Sequence, residues 1–160
     1  MEVWNNFFVA TASAAAALTG LIFVGVSISL TKILSIPRLP DRALLSLILL
    51  LMILVVSLLF LVPKQPYNLL GMEITVIGLI VWFAVSKIDS DILKSTKRKY
   101  KNHYILNLCL NQIAVIPYFI GGVAILTING SGVYWIVPAV LFSFLKAVLD
   151  AWVLLVEIHR

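Results

Sequence analysis

The chain has 160 residues, of which 62% are hydrophobic and only 12% are charged, and its formal net charge is +5. Soluble domains carry about 25% charged residues, so this composition excludes an ordinary soluble protein and indicates an integral membrane protein. Basic residues beside membrane spans account for the positive charge, and we therefore expect no nucleic-acid binding.

Five apolar stretches of 20 to 25 residues follow one another along the chain. Each is long enough to cross about 30 Å of hydrocarbon. They predict an all-α fold in which residues 1–160 form one transmembrane domain, a helical bundle with spans at 7–30, 42–62, 69–88, 104–128 and 132–156. The longest connection, 89–103, has about 15 residues, which excludes a soluble catalytic domain between the spans.

Most of the basic residues lie between spans one and two, between spans three and four, or at the C-terminus. By the positive-inside rule this asymmetry places the N-terminus outside and the C-terminus in the cytoplasm, and it requires an odd number of spans. We expect the plasma membrane of a prokaryote. The residues on the predicted cytoplasmic side are Lys32, Arg38, Arg42, Lys87, Lys94, Lys97, Arg98, Lys99, Lys101 and Arg160.

The first two spans differ in the size of their side chains. Span one carries a stripe of small or polar residues, and small residues let helices approach closely in a membrane. We expect this span at the centre of the bundle, although small hydroxyl residues also line water paths. Span two is apolar around its whole circumference and is expected to face lipid on most sides. The small-residue stripe consists of Asn6, Ala10, Ser13, Ala17, Gly20 and Ser27.

Charged residues flank the third span at both ends. Glu73 lies roughly 6 Å below the outer surface by helical rise. It is interpreted as an interface carboxylate that reaches water or Lys64, or as a cation or proton site at the mouth of a path. On the other side, Lys97, Arg98, Lys99 and Lys101 are expected to anchor the orientation and to contact anionic lipid headgroups, each contributing about 1 kcal/mol.

The most unusual residues lie in span five. Lys146 and Asp150 are four apart, so they share one helix face, and Ser143 precedes them on the same stripe. A charge at the centre of a span costs about 2.5 to 3.5 kcal/mol unless it finds a partner or water. Span four carries Asn107 and Asn111 at a similar depth.

The tight turn at 129–132 should make spans four and five antiparallel neighbours. We therefore expect the Asn107–Asn111 face to meet the Lys146–Asp150 face, with Ser27 or Ser29 of span one close by. Such a cluster is either a structural network that fixes the helix arrangement or an ion or proton relay that opens to the cytoplasm.

Motifs of soluble-type chemistry are missing from the sequence. It contains no phosphate-binding glycine loop, no paired cysteines, no HExxH and no recognisable Ser-His-Asp set, so we expect no enzyme. His103 and His159 have no cysteine near them in sequence, so we expect neither a metal site nor a cofactor.

Two stretches, WNNFFVATASAAAALTGLIFVGVSISL and YWIVPAV…AWVLLVEIHR, carry a resemblance to a known family. They resemble the two ends of a family of small prokaryotic multi-span membrane proteins, some of which are labelled modulator of the FtsH protease. The resemblance covers the first and last spans and implies a helical membrane fold without established catalytic residues. Lys146 and Asp150 depart from the small or neutral residues that the resemblance implies there.

Two functions fit these features. The first is a non-enzymatic accessory subunit or regulator of a membrane protein complex, whose partners are other membrane subunits. The alternative is a homo-oligomeric ion channel or ion-conducting protein, with a polar path lined by spans one, four and five.

Overall fold

A computed structural model describes residues 4–36, 39–94 and 101–159, and the side chains at 101–103, 129–130 and 157–159 lie outside this description. The described chain is almost entirely helical. Its helices are α1 (Asn5–Ile28), α2 (Leu30–Ser35), α3 (Leu39–Leu61), α4 (Tyr67–Lys94), α5 (Lys101–Ile128) and α6 (Val133–His159), with a 3-10 turn at Asn129–Gly132.

Five of these helices are long and apolar enough to cross a membrane, namely α1, α3, α4, α5 and α6. They coincide with the five stretches read from the sequence, and most of their ends differ by only a few residues. The largest difference is in α4, which continues to Lys94 because Ile88 and Ile92 extend its apolar face. We call the end of the bundle where α4 ends and α3 and α5 begin the basic end.

Helix α3 is the most buried span. It packs against α1, α4 and α6, and 50% of the residues in its most apolar window are buried, against 22% in α1. The expectation that this span faces lipid on most sides is therefore wrong. A helix that is apolar all round suits a protein interior and a bilayer equally well, so its composition does not distinguish the two.

Helix α1 lies at the edge of the bundle, which corrects the expectation of a central first span. It packs mainly on α3 and touches α6 only slightly. The Phe8 ring stacks on Phe60 with ring centroids 4.1 Å apart, and the hydroxyls of Thr11 and Ser57 are 2.8 Å apart. Larger residues and a hydroxyl pair therefore hold α1 on α3, and the small-residue stripe points away from the bundle.

The most extensive packing in the bundle joins α4 and α5, and α6 packs against both α5 and α3. The approach of α4 to α5 depends on glycine: a Cβ at Gly122 would lie 2.5 Å from Thr75 Oγ1 and 2.8 Å from its backbone nitrogen. The 3-10 turn then reverses the chain, so α5 and α6 are antiparallel neighbours as the short turn predicts. This pairing brings the polar residues of α4, α5 and α6 to one level near the basic end.

Candidate functional site

Four polar residues inside the bundle form what we call the polar cluster: Asp89 of α4, Asn111 of α5, and Lys146 and Asp150 of α6. Asp89 and Lys146 are each 5% exposed, and Asn111 is fully buried. Charged groups in a low-dielectric interior are stable only when they are paired and hydrogen-bonded. The contacts within the cluster therefore determine whether each buried charge is compensated.

Helix α6 supplies an ion pair. The Lys146 ammonium donates a hydrogen bond to the Asp150 carboxylate one turn further along the helix. Asp150 is less enclosed than Lys146, with 15% of its side chain exposed. The pair therefore runs from the bundle interior towards the surface along one face of α6.

Helices α4 and α5 supply the second contact. The Asn111 amide nitrogen donates to both carboxylate oxygens of Asp89, at 2.9 and 3.0 Å. The Asn111 amide oxygen is buried and has no hydrogen-bond partner among the described residues. Lys146 and Asp150 are the charged neighbours that act electrostatically on Asp89, so the two contacts form one cluster.

Sequence reasoning missed Asp89 because it placed this residue in the loop after span three. The signal that could have found it is the spacing of Val85, Asp89 and Ile92, which are four and three residues apart and are all buried. That spacing marks one face of a helix. A carboxylate on such a face belongs to the interior rather than to a solvated loop.

A cleft of about 340 Å³ leads to the cluster between α5, α6 and the start of α3. Its polar lining consists of Arg42, Asn107, Lys146 and Asp150, and its apolar lining consists of Leu106, Leu110, Leu149 and Val153. The Arg42 guanidinium lies over the Tyr104 ring, 5.4 Å from the centroid. Asn107 therefore faces the cleft together with the α6 ion pair, whereas Asn111 is not in the lining.

No family model, curated protein or solved structure matches this chain. Among the described residues, no group of three or more His, Cys, Asp or Glu side chains is placed to hold a metal ion. The polar cluster and its cleft are candidates on their geometry and chemistry alone.

The remaining residues expected near the cluster lie elsewhere. The Ser143 hydroxyl donates to the backbone oxygen of Ala114 at 3.1 Å, so it links α6 to α5 without lining the cleft. Ser27 is exposed and Ser29 is half-buried, and neither is among the described residues that line the cleft. The expected contribution of span one to this site is therefore wrong, and α4 provides the third helix instead.

A second polar link between α4 and α5 lies on the side of the cluster towards the other end of the bundle. The Trp82 indole nitrogen donates to the Gln112 side-chain oxygen at 2.6 Å. The Gln112 nitrogen donates to the Ser86 hydroxyl at 3.2 Å. These bonds fix the register of α4 against α5, and that register positions Asp89 opposite Asn111.

Glu73 lies at the opposite end of α4 from the cluster. Its carboxylate accepts a hydrogen bond of 2.5 Å from the Gln65 side chain, so its partner is Gln65 rather than Lys64. The expected contacts with lipid headgroups fall outside the described side chains. Lys97, Arg98 and Lys99 lie outside the described residues, and α5 begins at Lys101, whose side chain is also outside them.

Proposed function

We propose that the chain is a non-enzymatic integral membrane protein that acts as an accessory subunit or regulator of a membrane protein complex. The supporting observation is the outward position of the small-residue stripe of α1. All six residues of this stripe are exposed. The buried residues of α1, which include Phe8 and Ala15, lie on the opposite side of the helix.

The dimensions of the stripe fit a partner helix. From Asn6 to Ser27 it runs roughly 30 Å by helical rise, which equals the thickness of the hydrocarbon core. A Cβ added at Gly20, which belongs to the stripe, would meet nothing within 4 Å. Close backbone approach between small residues is what drives helix association when lipid provides no hydrophobic force. The occupant that fits this face is an apolar transmembrane helix of another membrane protein.

The same proposal includes the setting of the protein. The concentration of basic residues at one end of the bundle supports a cytoplasmic position for that end, in the plasma membrane of a prokaryote. Lys97, Arg98, Lys99 and Lys101 would contact anionic headgroups there. A relationship with the small multi-span family that includes FtsH modulators is consistent with this role.

Native mass spectrometry after gentle solubilisation tests the proposal, with Ala17→Leu and Ala14→Leu as a matched pair. Both residues are exposed on α1, but only Ala17 belongs to the stripe. We expect a different membrane protein at fixed ratio with the wild type and with Ala14→Leu, and its loss with Ala17→Leu. A partner retained equally by both variants, or a wild-type chain that never carries one, would refute the proposal. A closed ring of identical chains would favour the alternative function.

The second candidate function, an ion-conducting protein, is supported by the cleft that joins Lys146 and Asp150 to the basic end. The path would then follow α5, α6 and the start of α3 rather than the expected spans one, four and five. Liposome flux should be abolished or altered by Lys146→Met and unaffected by Lys64→Met, which removes an exposed lysine at the other end of the bundle. Flux that is the same in both variants would remove the support for this candidate.

A further inference from the structure

The contact between Asp89 and Asn111 uses the amide nitrogen of Asn111 but not its oxygen. The amide nitrogen lies almost equally far from the two carboxylate oxygens, at 2.9 and 3.0 Å. A side-chain amide carries both a donor and an acceptor, but an ionised carboxylate only accepts. The amide oxygen of Asn111 is therefore left without a donor in the part of the chain that the structure describes. A buried acceptor without a donor destabilises a protein.

One proton on Asp89 would remove this imbalance. A protonated carboxyl has one O–H donor and one carbonyl acceptor. With a small rotation of the amide, the Asn111 nitrogen donates to the carbonyl oxygen of Asp89 and the new O–H donates to the Asn111 oxygen. The two groups then form a cyclic acid–amide pair in which both are satisfied. The Asn111 oxygen is thus positioned to accept a hydrogen bond from a protonated Asp89.

The charges around Asp89 also favour the binding of a proton. The two carboxylates of the cluster face a single ammonium, because Lys146 is hydrogen-bonded to Asp150 and also acts electrostatically on Asp89. From α5 the group facing Asp89 is the neutral amide of Asn111. From α3, Arg42 lines the cleft and lies over the Tyr104 ring. Among the described residues, the hydrogen bonds that the Asp89 carboxylate accepts come from the neutral amide of Asn111 and not from a cation, and a proton would neutralise the carboxylate.

We propose that the polar cluster is a proton-binding site in which Asp89 is the acceptor and Asn111 is the residue that positions it. A hydronium ion transfers its proton to a carboxylate oxygen of Asp89 and leaves as water. The O–H then binds the Asn111 oxygen, and Lys146 is left paired with Asp150 alone. Binding and release thus exchange two hydrogen-bond arrangements between α4, α5 and α6. This site does not depend on the partner helix of α1.

The cleft gives the proton its route. Its volume of about 340 Å³ holds several waters, since each occupies about 30 Å³ in the liquid. Lys146 and Asp150, the charged neighbours of Asp89, both line it. Water at the basic end can therefore reach the cluster without crossing the apolar half of the bundle.

Infrared difference spectroscopy of the protein in lipid nanodiscs, recorded between samples at different pH, tests this site directly. We expect a protonated-carboxyl band that shifts when aspartate is labelled with ¹³C. The band should disappear in Asp89→Asn and remain in the control Glu73→Gln. In Lys146→Met it should persist to higher pH, because no ammonium then stabilises the ionised form.

Three results would overturn the proposal. The first is the absence of any titrating aspartate band in the wild type, and this measurement requires no variant to fold. The second is a band that survives in Asp89→Asn. The third is a midpoint that differs between sodium, potassium and choline at constant ionic strength, which would assign the site to a metal cation instead.

Discussion

Replacing Lys146 by methionine isolates the contribution of the α6 ion pair. Methionine keeps an unbranched apolar stem of similar length, so the change removes the charge and little volume. Removing one partner of a buried pair costs about 3–5 kcal/mol, because the other charge is left without compensation. Asp150 keeps 15% of its side chain exposed on the cleft, so water offsets part of this cost. We expect Lys146→Met to lower the free energy of unfolding by about 2–3 kcal/mol.

The double variant Lys146→Met/Asp150→Leu should recover most of that loss, because two apolar side chains need no counter-charge. Reversible unfolding in mixed micelles, followed by tryptophan fluorescence, measures the stability of both variants. Lys64→Met serves as the control and should change stability by less than about 0.5 kcal/mol.

The reasoning would be refuted if Lys146→Met lowered the free energy of unfolding by less than about 1 kcal/mol, the size of an exposed pair. It would also fail if the double variant were no more stable than Lys146→Met. In either case the ion pair would not be what compensates the charge on α6.

Two further predictions use matched pairs of residues and the same unfolding assay. Leu50→Ala should lower the free energy of unfolding by about 2 kcal/mol because it leaves a cavity in α3, while the transfer contribution is small because lipid is as apolar as leucine. Leu51 is exposed, so Leu51→Ala should be nearly neutral. Equal effects of the two substitutions would contradict the central position of α3. Gly122→Ala should lower the free energy of unfolding by about 1–3 kcal/mol through overpacking against Thr75. Gly20→Ala should leave the stability of the monomer unchanged, because a Cβ there meets nothing within 4 Å. A Gly122→Ala protein as stable as the wild type would contradict the close approach of α4 to α5.

The positions of the helices could be predicted from the sequence, but their arrangement could not. Length and apolarity decide which segments can cross a bilayer, and all five such helices lie where the sequence places them. Which of them is central depends on contacts between side chains, and lipid and protein interiors are equally apolar. The stacking of Phe8 on Phe60 and the pairing of Thr11 with Ser57 join residues about fifty positions apart. No local pattern in α1 or α3 reveals those pairs.

The candidate site could be predicted only in part, because the contacts between its helices are not visible in local sequence patterns. The spacing of Lys146 and Asp150 fixes their relative positions within one helix, and the short turn makes α5 the neighbour of α6. Asp89 was missed because a charge was taken as the end of a span, although α4 continues past it to Lys94. The hydrogen bond that stabilises this carboxylate in the interior of the bundle comes from Asn111, which is 22 residues away in the sequence.

The distribution of the polar cluster over three helices has a consequence for biogenesis. Helices leave the ribosome in chain order, so the Asp89 carboxylate is delivered to the membrane before Lys146 exists. A nascent chain that has inserted α4 and α5 can offer this carboxylate the amide of Asn111 but no cation. A charge at the centre of a span disfavours insertion by about 2.5–3.5 kcal/mol, and a charge near the end of a span, where Asp89 lies in α4, disfavours it by less. Arrival of α6 both supplies the ammonium and covers α3 and α5, so an intermediate that lacks α6 has a carboxylate without a cation beside two uncovered helix faces.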